Sequence, residues 1–238
     1  MSALFIKKIQ INWNRINQES YLHGIQSISG LDEIQFNKPV TFFVGENGSG
    51  KSTLLEGIAV AAGFNPEGGS KNYRFSTYDS HSELFDALTL VRNTKEKWGY
   101  YLRAESFYNV ATMENEYSKQ IGGIPQHYHE KSHGESFLKL ILGNMNEAGL
   151  YILDEPEAAL SPQRQLSLLS IMHESVKNGS QFIVASHSPI LLGYPDGDIL
   201  CFDGPLHSVE YEETESYKIT KMFVNNKEQI LKSLFDEE

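Results

Sequence analysis

Nine consecutive residues, GENGSGKST from Gly45 to Thr53, concentrate the chemistry of this chain. They match G-x-x-x-x-G-K-[ST], a pattern whose glycines let the backbone curl until several N–H groups converge on one anion. Gly45, Glu46, Asn47, Gly48, Ser49 and Gly50 would form that cradle, and Lys51 would reach the β and γ phosphates of a nucleotide. Ser52 would ligate Mg²⁺ and Thr53 completes the binding set, at a helix start whose dipole adds about half a positive charge. About a hundred positions later Asp154 and Glu155 end the apolar run Leu150–Leu153. There Asp154 would hold Mg²⁺ through its water shell, and Glu155 would point at an attacking water as general base.

Two further groups lie on either side of those carboxylates. Ser132-His133-Gly134-Glu135 opens a helical segment. Ser132 and Glu135 fit S-x-x-E, a capping box in which the hydroxyl accepts from the third helical N–H and the carboxylate reaches back. A capped helix N-terminus preceded by glycine is also an anion site, so the cap and a phosphate contact use one geometry. His187 follows the apolar run QFIVA, at the end of an expected buried strand.

These residues need a scaffold that gathers them, and the sequence supplies its outline. Residues 3–13 alternate as a strand and KPVTFFV (38–44) is β-rich, whereas STLLEGIAVAA (52–62) has the composition of a helix. Strands are expected at ALTLVRN, WGYYLRA, GLYILDE, SQFIVAS and DILCFD. Helices are expected at SFLKLILGNM, SPQRQLSLLSIMHESVK, ESYKITKMF and NKEQILKSLF. Short apolar runs alternating with helices predict a largely parallel sheet covered on both faces. The expected organisation is α/β, one domain over residues 1–238, with an additional antiparallel β part from the N-terminal region. The acidic C-terminus reads as a frayed tail.

The order of these motifs resembles that of the ABC-class phosphate-loop ATPases. Their signature sequence, L-S-G-G-Q, precedes the strand acids by about twenty residues, and here that place holds Lys131-Ser132-His133-Gly134-Glu135. The serine and second glycine are kept, while His133 replaces a glycine where backbones approach closely. EAALSP stands in the place of the D-loop and His187 in that of the switch histidine. GENGSGKSTLLEGIA, ILDEPEAALSP and ASHSP look most like the RecF/SMC-related branch, in particular compact stand-alone bacterial "AAA family ATPases".

That resemblance implies ATP and Mg²⁺ as cofactors, ATP hydrolysis as the activity, and an ATP-dependent homodimer. In it the serine-headed helix of one subunit meets the γ-phosphate held by the other. For the water- or metal-facing glutamine of the family's Q-loop the chain offers Glu105, in YYLRAESF. The adenine-stacking aromatic stays undecided among Trp13, Tyr21 and Phe36, and Arg15 is a further candidate for approaching the nucleotide. The partner on which the cycle acts is either DNA or a protein in repair or defence. The alternatives are a membrane partner, for a transporter's ATP-binding subunit, and a nucleotide-gated interaction module with slow hydrolysis.

Composition narrows the field. The chain has 238 residues and a formal charge of −11, which gives nucleic acid and anionic membranes no general attraction. Ser132 stands only 80 positions after Ser52, too few for a long coiled-coil arm. No run approaches the roughly 20 apolar residues needed to cross a bilayer, and the N-terminus lacks a signal-peptide core, so a cytoplasmic protein is expected. The single cysteine, Cys201, fits a reducing compartment and reads as a small buried hydrophobe. His127, His129 and His133 have no standard metal-site spacing.

Overall fold

A computed structural model of the chain describes residues 4–71, 82–103, 138, 141–145 and 147–235. Its main sheet has seven strands in the order β10-β9-β3-β8-β7-β6-β4. The five central strands are β9 (Asp198–Cys201), β3 (Val40–Val44), β8 (Gln181–Ala185), β7 (Gly149–Asp154) and β6 (Trp98–Arg103). All run parallel. Antiparallel β10 (His207–Ser208) and β4 (Gly69–Ser70) close the two edges.

Every residue of β3, β7 and β8 is buried, as continuous apolar runs in a doubly covered parallel sheet require. The side-chain alternation of a strand then separates two cores. Phe43, Leu150, Ile152, Ile183 and Ala185 face one core together with Leu54, Leu55, Ile58 and Ala59 of helix α1 (Lys51–Ala62). Phe42, Val44, Tyr151, Leu153, Phe182 and Val184 face the other, with Leu168 and Met172 of the helix Pro162–Lys177.

A second sheet, β2-β1-β5, is antiparallel: β1 (Ile6–Ile11), β2 (Glu33–Gln35) and β5 (Leu88–Arg92). Ile6, Ile9 and Ile11 of β1 enter the same core as α1. Gln181 joins the two sheets, since Ile6 N donates to its Oε1 at 2.9 Å and its Nε2 donates to Ile6 O at 2.9 Å. The side-chain amide thus replaces a missing strand rung and satisfies a buried backbone pair.

The other expected elements are present, with shifted ends, whereas the helix expected at SFLKLILGNM lies largely outside the described residues. The first strand spans Ile6–Ile11, shorter than 3–13, because a 3₁₀ turn takes over at Trp13–Arg15. Glycine ends α1: Gly63 adopts φ 95° and donates its N–H to Ala59 O and Val60 O. The last two helices are Glu215–Asn225 and Lys227–Phe235. Cys201 is half-buried, not buried; its Sγ donates to Asp203 Oδ2 at 3.6 Å. Among the described residues, no helix is long and apolar enough to cross a membrane.

Candidate nucleotide site

The parallel strands all deliver their carboxyl ends to one edge, the usual place for a ligand in an open α/β sheet. β3 runs into the Gly45–Gly50 loop and β7 ends at Asp154; beyond β8 stands His187, and beyond β9 stands Asp203. Because β8 lies between β3 and β7, His187 emerges between the glycine loop and Glu155.

Two glycines of the loop have no substitute. Gly50 is the N-cap of α1 at φ 100°, and a Cβ there would stand 2.6 Å from Ile25 Cγ2. Gly45 has φ 139° and a Cβ on it would meet Asp203 Oδ1 at 2.9 Å. L-residues avoid this conformation, and the packing closes the space as well. With no side-chain cap on α1, its first N–H groups are left for an anion. Two contacts brace the loop from outside: Glu46 N donates to Asp203 Oδ1 at 2.7 Å, and Ser27 Oγ donates to Ser49 O at 2.5 Å.

Lys51 is only 4% exposed, and its Nζ donates to Gly45 O at 2.6 Å and Glu46 O at 2.8 Å. Burial pushes the ammonium below its ordinary pKa, while the carboxylates of Glu155, Asp203 and Asp154 pull it back up. Ser52 Oγ donates to Asp154 Oδ1 at 3.0 Å across 102 positions of sequence. A hydroxyl and a carboxylate so paired are hard oxygen donors of the kind that hold Mg²⁺ together with waters and phosphate oxygens.

Glu155 differs from its neighbour. Its N–H still donates to Ala185 O at 3.0 Å, continuing the ladder, but the residue sits at φ 50°, ψ 50°. That left-handed conformation is uncommon outside glycine and asparagine. It turns the side chain out of the sheet, 42% exposed, to 3.8 Å from His187 Nε2. Backbone strain of this kind costs about 1–3 kcal/mol and gathers where a side chain must be aimed. Glu157 accepts the backbone N–H of His187 at 2.5 Å and fixes the turn that carries it.

Ser49 Oγ and His187 Nε2 are buried polar atoms without a hydrogen-bond partner among the described residues. Ser49 belongs to the loop and His187 to the turn after β8 beside it, and an anion seated there would satisfy them. Beside the loop opens a cleft of about 840 Å³, bordered by Ile25, Ser27, Asn47, Phe202, Glu215 and Lys218 among others.

Of the expected site residues, the structure brings together the Gly45–Thr53 stretch, Asp154, Glu155 and His187. Ser132, Gly134, Glu135 and Glu105 lie outside the described residues, as do His127, His129 and His133. The aromatic candidates do not border the cleft. Phe36 is core, Trp13 donates its Nε1–H to Leu31 O at 3.0 Å, and Tyr21 is exposed elsewhere. Arg15 donates to Asp86 O at 3.1 Å and does not border the cleft either. Asp203, Arg103 and Glu56, each in contact with this site, carried no local motif; only strand register and packing bring them here.

A family model described as an AAA domain matches residues 21–237. The chain belongs to this AAA domain family. The AAA domain chain is 26% identical over 195 residues to the Salmonella typhimurium cobalt import ATP-binding protein CbiO, covering 74% of this chain and 69% of that protein. Its fold is similar to cbiO1 of Clostridium perfringens, part of the ABC transporter complex cbiONQ, at TM-score 0.50 and 15% identity over 96% and 98% of the two chains. It is equally similar to an Smc head bound to the C-winged helix domain of ScpA, at TM-score 0.50 and 17% identity over 91% and 99%. The AAA domain chain is an ATP-binding phosphate-loop ATPase of the ABC class, as the motif order implied.

Proposed function

We propose that the protein binds ATP with Mg²⁺, that ATP closes a homodimer around two nucleotides, and that hydrolysis reopens it. Lys51 and the loop amides would hold the β and γ phosphates, with Asn47 and Ser49 at the rim. Mg²⁺, when bound, supplies charge neutralisation between the phosphates. Ser52 would give it one direct oxygen and Asp154 would orient its water shell. Glu155 would take a proton from the attacking water. His187 would hydrogen-bond the γ-phosphate and so distinguish ATP from ADP, while Ser132, Gly134 and Glu135 of the partner copy would contact that phosphate from the opposite side. Glu105 is proposed as the residue following β6 that faces the metal or the water.

The observation that carries this reading is the Ser52–Asp154 hydrogen bond beside the buried Lys51, because two groups so distant in sequence meet only at a prebuilt site. Its test is Glu155→Gln. With ATP the variant should run as a dimer in size-exclusion chromatography with light scattering, and Ser132→Arg added to it should return a monomer that still binds ADP. A strictly monomeric Glu155→Gln protein with ATP bound would refute the closure.

A second reading, the ATP-binding subunit of a transporter, is supported by relatives that are named as import ATP-binding proteins. Co-purification with a membrane protein from the native host would favour it. In the first reading the cycle acts on DNA or on a protein partner in repair or defence, and turnover stimulated by duplex DNA would favour that. A nucleotide-gated module with slow hydrolysis would respond to neither.

A further inference from the structure

Arg103 closes a ring of charges behind the Ser52–Asp154 pair. It ends β6 and lies in register with Asp154 on the neighbouring parallel strand β7. Its Nε stands 3.8 Å from Asp154 Oδ2, the oxygen opposite the one that Ser52 engages. Its Nη1 donates to Glu56 Oε2 at 2.7 Å and reaches Pro66 O at 3.4 Å. Glu56 lies on α1 one turn beyond Ser52, on the same face of the helix, and its Oε1 accepts Ser82 N at 3.1 Å. Ser52, Asp154, Arg103 and Glu56 therefore tie α1, β6 and β7 into one circuit around the carboxylate.

The distances divide the guanidinium unequally. Its short, charge-assisted contact is with Glu56, and its contact with Asp154 is long. Asp154 is only 6% exposed, and a buried carboxylate is costly without a cation nearby. Arg103 supplies such a charge, as does Lys51. A full contact between the two would nevertheless compete with a divalent ion for the same carboxylate.

We propose that Arg103 and Glu56 are positioning residues that set the Mg²⁺ affinity of Asp154: Arg103 counters the carboxylate's charge, and Glu56 holds the guanidinium back so that a divalent cation can replace it. This rests on the proposed nucleotide site and adds its metal threshold. Removing Glu56 frees Arg103 to close on Asp154 and weakens metal binding. Removing the charge of Arg103 strengthens it.

The test is a Mg²⁺ titration of a fluorescent ATP analogue bound to the full chain, read by fluorescence without turnover. Glu56→Gln should raise the Mg²⁺ midpoint about tenfold, with analogue affinity in EDTA unchanged. Arg103→Met should lower the midpoint, and the double variant should resemble Arg103→Met, because Glu56 acts through Arg103. A merely structural role would move analogue affinity in EDTA and the melting temperature and leave the midpoint in place. An unmoved midpoint in both single variants overturns the proposal while the nucleotide site stands. If Glu56→Gln does not fold, Arg103→Met decides by the direction of its shift, and a raised or unchanged midpoint overturns the proposal. Failure of the unaltered protein to bind the analogue overturns the nucleotide site and this proposal together.

Discussion

Ser52 and Asp154 lie 102 positions apart and meet at 3.0 Å at a buried sheet edge. Glu155 and His187 stand 3.8 Å apart, with 42% and 40% of their side chains in solvent. The first pair is hydrogen-bonded and framed by the Arg103–Glu56 contact. The second has a strained backbone at Glu155 and, among the described residues, a ring nitrogen of His187 without a hydrogen-bond partner. Adjacent residues, Asp154 and Glu155, thus belong to different regimes. The inner pair is built for holding, whereas the outer pair lacks a hydrogen-bond partner for its ring nitrogen among the described residues.

If that division is right, changes to the outer pair should strike turnover and spare binding. Glu155→Gln should lower the ATP turnover number by about 10²–10⁴, the usual worth of a general base, with nucleotide affinity held within about threefold in an equilibrium titration; normal hydrolysis would dissolve the distinction. His187→Ala should cost about 10²–10³ in turnover, as loss of one donor to developing charge does, and should narrow the preference for ATP over ADP. Lys51→Ala belongs to the inner pair's surroundings and should instead weaken nucleotide affinity by about 10–100-fold, the loss of charge-assisted hydrogen bonds, as calorimetry would measure. An effect on turnover alone would move Lys51 to the outer group.

Two smaller effects sharpen the contrast by lying away from the chemistry. Gly50→Ala forces a Cβ toward Ile25 at φ 100° and should lower stability by about 1–3 kcal/mol in urea unfolding. On the antiparallel sheet, Glu33 accepts from Lys8 Nζ at 2.8 Å, and chiefly that bond lowers its pKa from 4.5 to about 2. The folded carboxyl is the stronger acid, so its contribution is present above about pH 4.5 and is lost as pH falls toward 2. Lys8→Met should flatten the fall in melting temperature within that window, by lowering it slightly at neutral pH, where the contribution is fully present, and leaving it unchanged near pH 2. The pair is exposed, so the effect is small.

Much of the site was legible because its chemistry is local. Gly45 to Thr53 is a continuous loop whose glycine spacing dictates its curl, and Asp154-Glu155 closes a continuous apolar strand. The candidate aromatics Trp13, Tyr21 and Phe36 were not separable in this way, since a stacking ring and a core ring share the same composition. Packing assigns Phe36 to the core and places Phe202 at the cleft. Asp203 illustrates the same limit, as a lone acid after a strand whose role in bracing Glu46 N appears only when β9 is laid beside β3.

By itself the sequence determined the phosphate-loop class, the alternation of buried strands with helices, and the acids at the end of β7, because backbone curl and hydrophobic period depend on neighbours in the chain. Only the tertiary structure decided that β8 separates the loop from those acids, that Glu155 turns outward while Asp154 turns inward, and that Arg103 stands between Asp154 and Glu56. Those arrangements depend on strand order and register, which are set by how distant segments share two cores and leave no mark in any single stretch of residues.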